Sequence, residues 1–206
     1  MHIELTEMLR CPEPHAEGYV VLSTGEMLGR MVRSGIAGCS ICHREYVIKD
    51  GVVDFAGSTE QSPPLHPTSS LTAHHAPRTD AATIQALLDL SGPGGYVVLL
   101  GTAVRHATGL AALMGGVHFI GVNAPPDVEE LPVLSLVRTA AAIPLRQTIA
   151  RGVVVGADVA RAPWLVEARR VLLPGRRWVV ESEAVELPEG ISKLAAGQGL
   201  SVGEKR

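Results

Sequence analysis

Four side chains near the start of the chain have the types and spacing of a metal site. Cys11 and His15 form a C-x-x-x-H pair, and Cys39 and Cys42 form a C-x-x-C pair further along. Zinc prefers four soft or borderline ligands in a tetrahedron, and a tight turn presents two of them to one ion. Between the pairs runs a strand-like stretch, residues 18–22, so the two ligand pairs flank a hairpin. A segment this short buries too little surface to hold itself together, which makes metal binding part of its folding free energy. Two alternatives stay open at this level. A C-x-x-C pair also serves redox chemistry, although such pairs open a helix after a strand, whereas this one lies between Gly38 and the strand-like residues 46–48. His43, beside Cys42, competes with His15 for the fourth ligand position.

The rest of the chain must position these groups. Its 206 residues exceed one average domain, so one small and one medium domain are expected. Hydrophobic residues make up 46% and charged residues 19%, enough for a proper core and too little charge for disorder. Aromatic residues are 3% and the net charge is −3, which together disfavour a nucleic-acid partner: base-stacking platforms and a basic surface are both missing. No window reaches the roughly 20 uncharged apolar residues of a membrane-spanning helix, and the first ten residues do not pattern as a signal peptide, so the expectation is a cytoplasmic chain with no membrane insertion.

Residues 1–56 read as a β-rich zinc ribbon and 57–78 as a flexible linker, dense in Pro, Ser and Thr and carrying the adjacent pair His74 and His75, which reads as solvated. Residues 79–206 read as an α/β domain. Asp80 and the spacing of the following apolar residues give a capped helix, closed by the Ser91–Gly95 turn. Apolar runs at 96–101 and 118–122 with a helical stretch through 108–114 between them form a βαβ unit, predicting a mostly parallel sheet with flanking helices. Residues 152–156 read as another central strand, 162–172 as a helix with proline near its start, and 178–181 as the next strand.

Two resemblances follow from these residues. Leu9-Arg10-Cys11-Pro12 and the stretch from Cys39 to Phe55 resemble the small zinc-ribbon family that activates methyltransferases; that family's second cysteine is Pro14 here, and His15 stands in for it. The helix ending in Arg170-Val171-Leu172, the Pro174-Gly175-Arg176 turn and the strand after it resemble class I S-adenosylmethionine-dependent methyltransferases, as does Ala142-Ile143-Pro144-Leu145. The second resemblance implies a Rossmann-like fold, with Gly101 and Asn123 at the cofactor-binding positions. It also exposes losses. The glycine-rich motif keeps Gly101 alone, with Leu99 at its acidic position, Ala103 and Arg105 at its later glycines; Asn123 replaces the ribose-binding acid, and Thr139 an aspartate near the adenine. Charge-assisted hydrogen bonds of this kind are worth roughly 1.5–3 kcal/mol each, so losing three acids weakens the expected binding by orders of magnitude. A shift of the alignment would give the close approach to Gly109 instead.

Arg105 and His106, at a strand end, read as a solvated loop before an anion site, and Asp158 as a helix cap. No catalytic triad or paired-carboxylate arrangement is present in the pattern. Beyond Glu183 the final antiparallel hairpin of the methyltransferases does not fit in full, which predicts a shortened sheet with an exposed edge. The expected function is a non-catalytic, methyltransferase-like accessory or scaffold protein with a structural zinc ion, binding another subunit or a second copy. An active methyltransferase with a fused ribbon, using S-adenosylmethionine, and a zinc-ribbon nucleic-acid binder are the alternatives.

Overall fold

A computed structural model of the chain describes residues 1–57, 79–128 and 131–206. The expected linker, apart from Gly57, and the His74–His75 pair lie outside the described residues.

The N-terminal segment opens with a 3-10 turn, Ile3–Met8, and six strands: β1 Val20–Thr24, β2 Met27–Leu28, β3 Met31–Val32, β4 Gly35–Cys39, β5 Glu45–Lys49 and β6 Val52–Asp54. β5 and β6 meet at Asp50-Gly51, both left-handed (φ 51° and 79°), the Asp-Gly pair that a two-residue hairpin turn favours. Alternation along β5 turns Tyr46 and Ile48 inward and leaves Glu45, Val47 and Lys49 exposed.

The second segment contributes α1 Ala81–Leu88, β7 Tyr96–Leu100, α2 Ala107–Leu113, β8 His118–Val122, β9 Leu134–Arg138, β10 Ala150–Val155, α3 Trp164–Val171, β11 Arg177–Val180, β12 Ile191–Gly197 and β13 Leu200–Lys205. Asp80 caps α1 by accepting from the Thr83 amide at 2.6 Å. A Cβ at Gly109 would meet that of Ala81 at 2.6 Å, so this glycine serves the close packing of α2 on α1.

All strands but β2 and β3 join one sheet, ordered β1-β4-β5-β6-β9-β8-β7-β10-β11-β13-β12. The five strands from β9 to β11 are parallel, and β13 runs antiparallel to β11. This is a Rossmann-like α/β fold, and its chain order reverses between β7 and β10. The ribbon does not swing free. β6 pairs in parallel with β9, the Phe55 amide donates to the Arg138 carbonyl at 2.8 Å, and residues 8–10 bond to 144–146. Arg170 on α3 clamps the same stretch, donating to the carbonyls of Ile143 and Leu145 at 2.7 Å each, while Glu167 accepts from the Ile143 amide at 2.8 Å.

One core lies on each face of the sheet. Val97 and Leu99 of β7 face α1 and α2 with Ile84, Leu88 and Leu110. Val98 and Leu100 face the other side, where α3 (Leu165, Ala168, Val171) and the ribbon interior (Leu5, Leu9, Tyr46, Phe55) form a single cluster that also includes Trp178.

The expectation of an unfitted final hairpin is corrected. β12 and β13 pair from Ile191↔Lys205 to Gly197↔Leu200 around a two-residue turn, Gln198-Gly199, with φ 55° and 81°. The sequence hid it because β12 is rich in small, exposed residues and is bulged between Lys193 and Ala195, which breaks the alternation on which strand reading depends. β13 covers the edge of β11, and the bulged β12 becomes the outer strand.

Candidate functional site

The first candidate is a four-ligand cluster. Cys11 follows the opening turn and is held beside Tyr19 by an antiparallel bridge at Arg10. Cys39 ends β4, and Cys42 sits in a tight turn closed by the His43 amide on the Cys39 carbonyl at 3.1 Å. His43 takes the left-handed conformation there (φ 57°), and it is His15, not His43, whose ring joins the three cysteines. The ligand atoms of Cys11, His15, Cys39 and Cys42 all lie within 4.8 Å of one another. Cys11 Sγ is 3.8 Å from Cys42 Sγ, and Cys39 Sγ is 3.4 Å from His15 Nε2. A tetrahedron with sulfur about 2.3 Å from a zinc ion has sulfur-to-sulfur edges of about 3.8 Å, so the spacing fits that ion.

The groups around the cluster fit as well. His15 Nδ1 donates to the Ala16 carbonyl at 2.6 Å, which fixes the tautomer that leaves Nε2 with a lone pair for a metal. The Ile41 amide donates to Cys39 Sγ at 3.4 Å and the Tyr46 hydroxyl lies 3.0 Å from Cys11 Sγ. Burial raises the Cys39 thiol, but the amides of Cys42 and Ile41 outweigh it and bring it down to about 7. Burial pushes Cys11 up to about 11 against the opposing Tyr46 contact. Cys11 and Cys39 are buried, His15 is half-buried and Cys42 is exposed. Four protein donors on one ion would complete a tetrahedron and leave no position for substrate.

The second candidate lies where the sheet order reverses, at the carboxyl ends of β7 and β10. Gly101 has φ 59°, and a Cβ there would meet both Asp158 carboxylate oxygens at 2.6 Å. Asp158 Oδ1 accepts from the Thr102 amide at 2.9 Å and from its hydroxyl at 2.7 Å. The expected capping role of Asp158 is met at a distance: it accepts in the first turn of the 3-10 helix Gly101–His106, across 56 residues of sequence. Asn123 is left-handed (φ 53°) and its side chain is used twice on Thr139: Oδ1 accepts from the amide at 2.9 Å and Nδ2 donates to the carbonyl at 3.0 Å.

Arg105 and His106 are not a solvated loop. Arg105 makes a paired contact with Asp127, Nε to Oδ2 at 2.9 Å and Nη2 to Oδ1 at 3.0 Å, and the acid raises its pKa. His106 is 3% exposed and its Nε2 lies 2.7 Å from Glu181 Oε1 at the end of β11. No local pattern near His106 points to Glu181, which is 75 positions away.

No family model matches the chain, and no curated protein does. Among solved structures it is similar to a Haloferax volcanii complex that contains a methyltransferase activator (21% identity, 48% of this chain and 50% of that one, TM-score 0.39). It is also similar to a geranyl diphosphate methyltransferase (19%, 48% and 42%, 0.41) and to an S-adenosylmethionine-dependent methyltransferase from Aquifex aeolicus (13%, 61% and 88%, 0.45). The chain spans half or less of the first two of these. Among the described residues no helix is long and apolar enough to cross a membrane. On its own strand order, the chain carries a Rossmann-like α/β fold preceded by a small ribbon whose Cys/His cluster can hold a zinc ion.

Proposed function

We propose that this chain is a non-catalytic, methyltransferase-like accessory or scaffold protein that binds a protein partner and keeps a structural zinc ion on Cys11, His15, Cys39 and Cys42. The observation that carries the reading is Asp158. Its carboxylate occupies the space over Gly101 and takes the Thr102 amide, the kind of backbone donor a cofactor's own carboxylate would need. S-adenosylmethionine does not fit these residues as they stand. The glycine approach is filled by Asp158, and Asn123 carries no charge for a ribose and already has one N–H and one lone pair held by Thr139. The cytoplasm suits three free thiols serving a metal. Support for a partner comes from the ribbon's outer face, where Val21 on β1, Ile36 on β4 and Val47 on β5 are 62%, 40% and 50% exposed, with Ile36 and Val47 directly paired.

One observation favours a second reading, an active S-adenosylmethionine-dependent methyltransferase with its ribbon fused: the parallel strands and their reversal point are complete. Calorimetric titration of the zinc-loaded protein with the cofactor, alongside Asp158→Ala, decides between them. The expected result is no dissociation constant below about 1 mM for either protein. Tighter binding by the wild type overturns the scaffold reading. Binding by Asp158→Ala alone would make that carboxylate the whole obstruction and turn the reading into a gated enzyme.

A further inference from the structure

We infer that Tyr46 is a positioning residue of the metal centre, holding the Cys11 thiolate in place by donating its hydroxyl hydrogen to Sγ. The inference rests on the zinc reading above and names a residue outside the four ligands.

Three of the four ligands have visible provision for their non-metal contacts. His15 is oriented by the Ala16 carbonyl, Cys39 receives the Ile41 amide, and Cys42 is exposed, where water reaches its sulfur. Cys11 is different. It is 5% exposed, and the residue after it, Pro12, has no amide hydrogen to give. A buried thiolate short of donors is costly, and hydrogen bonds to a charged acceptor are the strong ones. Glu13 supplies a backbone donor, and the Tyr46 hydroxyl, 3.0 Å from Sγ, supplies a side-chain one.

Tyr46 is built to aim that group. It is 1% exposed, on an inward position of β5, with its ring 4.5 Å from that of Phe55. A tyrosine at so buried a position needs a partner for its hydroxyl, and the partner here is Cys11. Phe55 in turn donates its amide to Arg138 at the end of β9. The metal ligand, the ribbon strand and the seam between β6 and β9 are therefore consecutive contacts.

The test compares the full-length wild type with Tyr46→Phe and, as a packing control, Phe55→Leu. Zinc affinity is read by competition with a chromophoric chelator, and the thiolate-to-metal charge-transfer band is read on the cobalt-substituted protein. Tyr46→Phe keeps the ring and loses only the hydroxyl. It is expected to bind zinc about 10–100-fold more weakly, the range for loss of an outer hydrogen bond to a metal ligand, and to move the cobalt band to longer wavelength. Phe55→Leu is expected to leave both unchanged. Tyr46→Phe within about twofold of wild type, with an unmoved band, overturns the inference. So does a Phe55→Leu chain that weakens binding as much, because packing would then be the cause. A wild type that takes up no stoichiometric zinc overturns the metal reading itself, and this inference with it.

Discussion

Cys42 is the ligand whose substitution separates a metal site from a coincidence of sulfurs. Its side chain is exposed, 3.8 Å from Cys11 Sγ. If it holds no metal, Cys42→Ala is a surface change worth no more than about 0.5 kcal/mol, or about 1–2 °C in a chain of this size. If it is one of four zinc ligands the scale differs. Structural zinc contributes apparent values of roughly 10–16 kcal/mol in zinc-finger peptides, so an equal share for one ligand is about 2.5–4 kcal/mol. At about 2–4 °C per kcal/mol, the melting temperature falls by roughly 5–16 °C. The assay is thermal melting of both proteins at zinc just above stoichiometric, repeated in excess chelator. The loss should appear with zinc and largely vanish in chelator, where neither protein has the metal to lose. Equal melting temperatures in zinc would refute the assignment, whatever the spacing of the sulfurs.

Two further outcomes follow from the packing. Arg170→Ala removes the charged donor shared by the Ile143 and Leu145 carbonyls and the partner of Glu167; denaturant titration should show a loss of about 2–3 kcal/mol, and Arg170→Lys should recover less than half of it, since a point charge does not reproduce the fork. His118 is pulled down to about 4 by burial and then by His2, and its Nε2 sits 2.9 Å from the Ser135 hydroxyl. The unfolded chain therefore binds this proton more readily, so stability rises with pH between about 4 and 6.5, by up to about 3 kcal/mol from this group. Urea unfolding across that window should be flatter for His118→Gln; an unchanged slope would show that other groups set it.

What the sequence made legible was local. The apolar runs gave β7, β8, β10 and β11, Asp80 marked the start of α1, and the spacing of cysteines with His15 picked out four residues whose ligand atoms do gather. Periodicity reports which face of an element is buried, and a short motif reports a turn. Neither reports what lies against it. The parallel register of β6 on β9 involves three residues, the contact of Asp158 with Thr102 spans 56 positions, and His106 finds Glu181 across 75. These pairings are decided by the order of strands in the sheet, and nothing in the local pattern near either partner encodes them. Trp178 shows the limit from the other side. Its apolar strand was readable, yet that it falls in one buried cluster with residues of α3 and the ribbon was not.

The contacts at the reversal point bear on how the scaffold reading would hold over time. Backbone donors at the end of a strand must be satisfied by something, and in a cofactor-binding sheet the ligand provides part of that. Here Asp158 satisfies Thr102, Asn123 satisfies both backbone groups of Thr139, Arg105 is paired with Asp127, and His106 with Glu181. Each contact removes a reason for the site to stay open, and together they make the strand ends self-sufficient. Removing Asp158 alone still leaves Asn123 locked and no carboxylate for a ribose, so a single substitution is a poor route back to binding. A polar surface that satisfies itself in this way needs no ligand to be stable. Under the scaffold reading the ligand that bears on stability is then the proposed zinc ion, and the melting of Cys42→Ala with and without zinc measures its share.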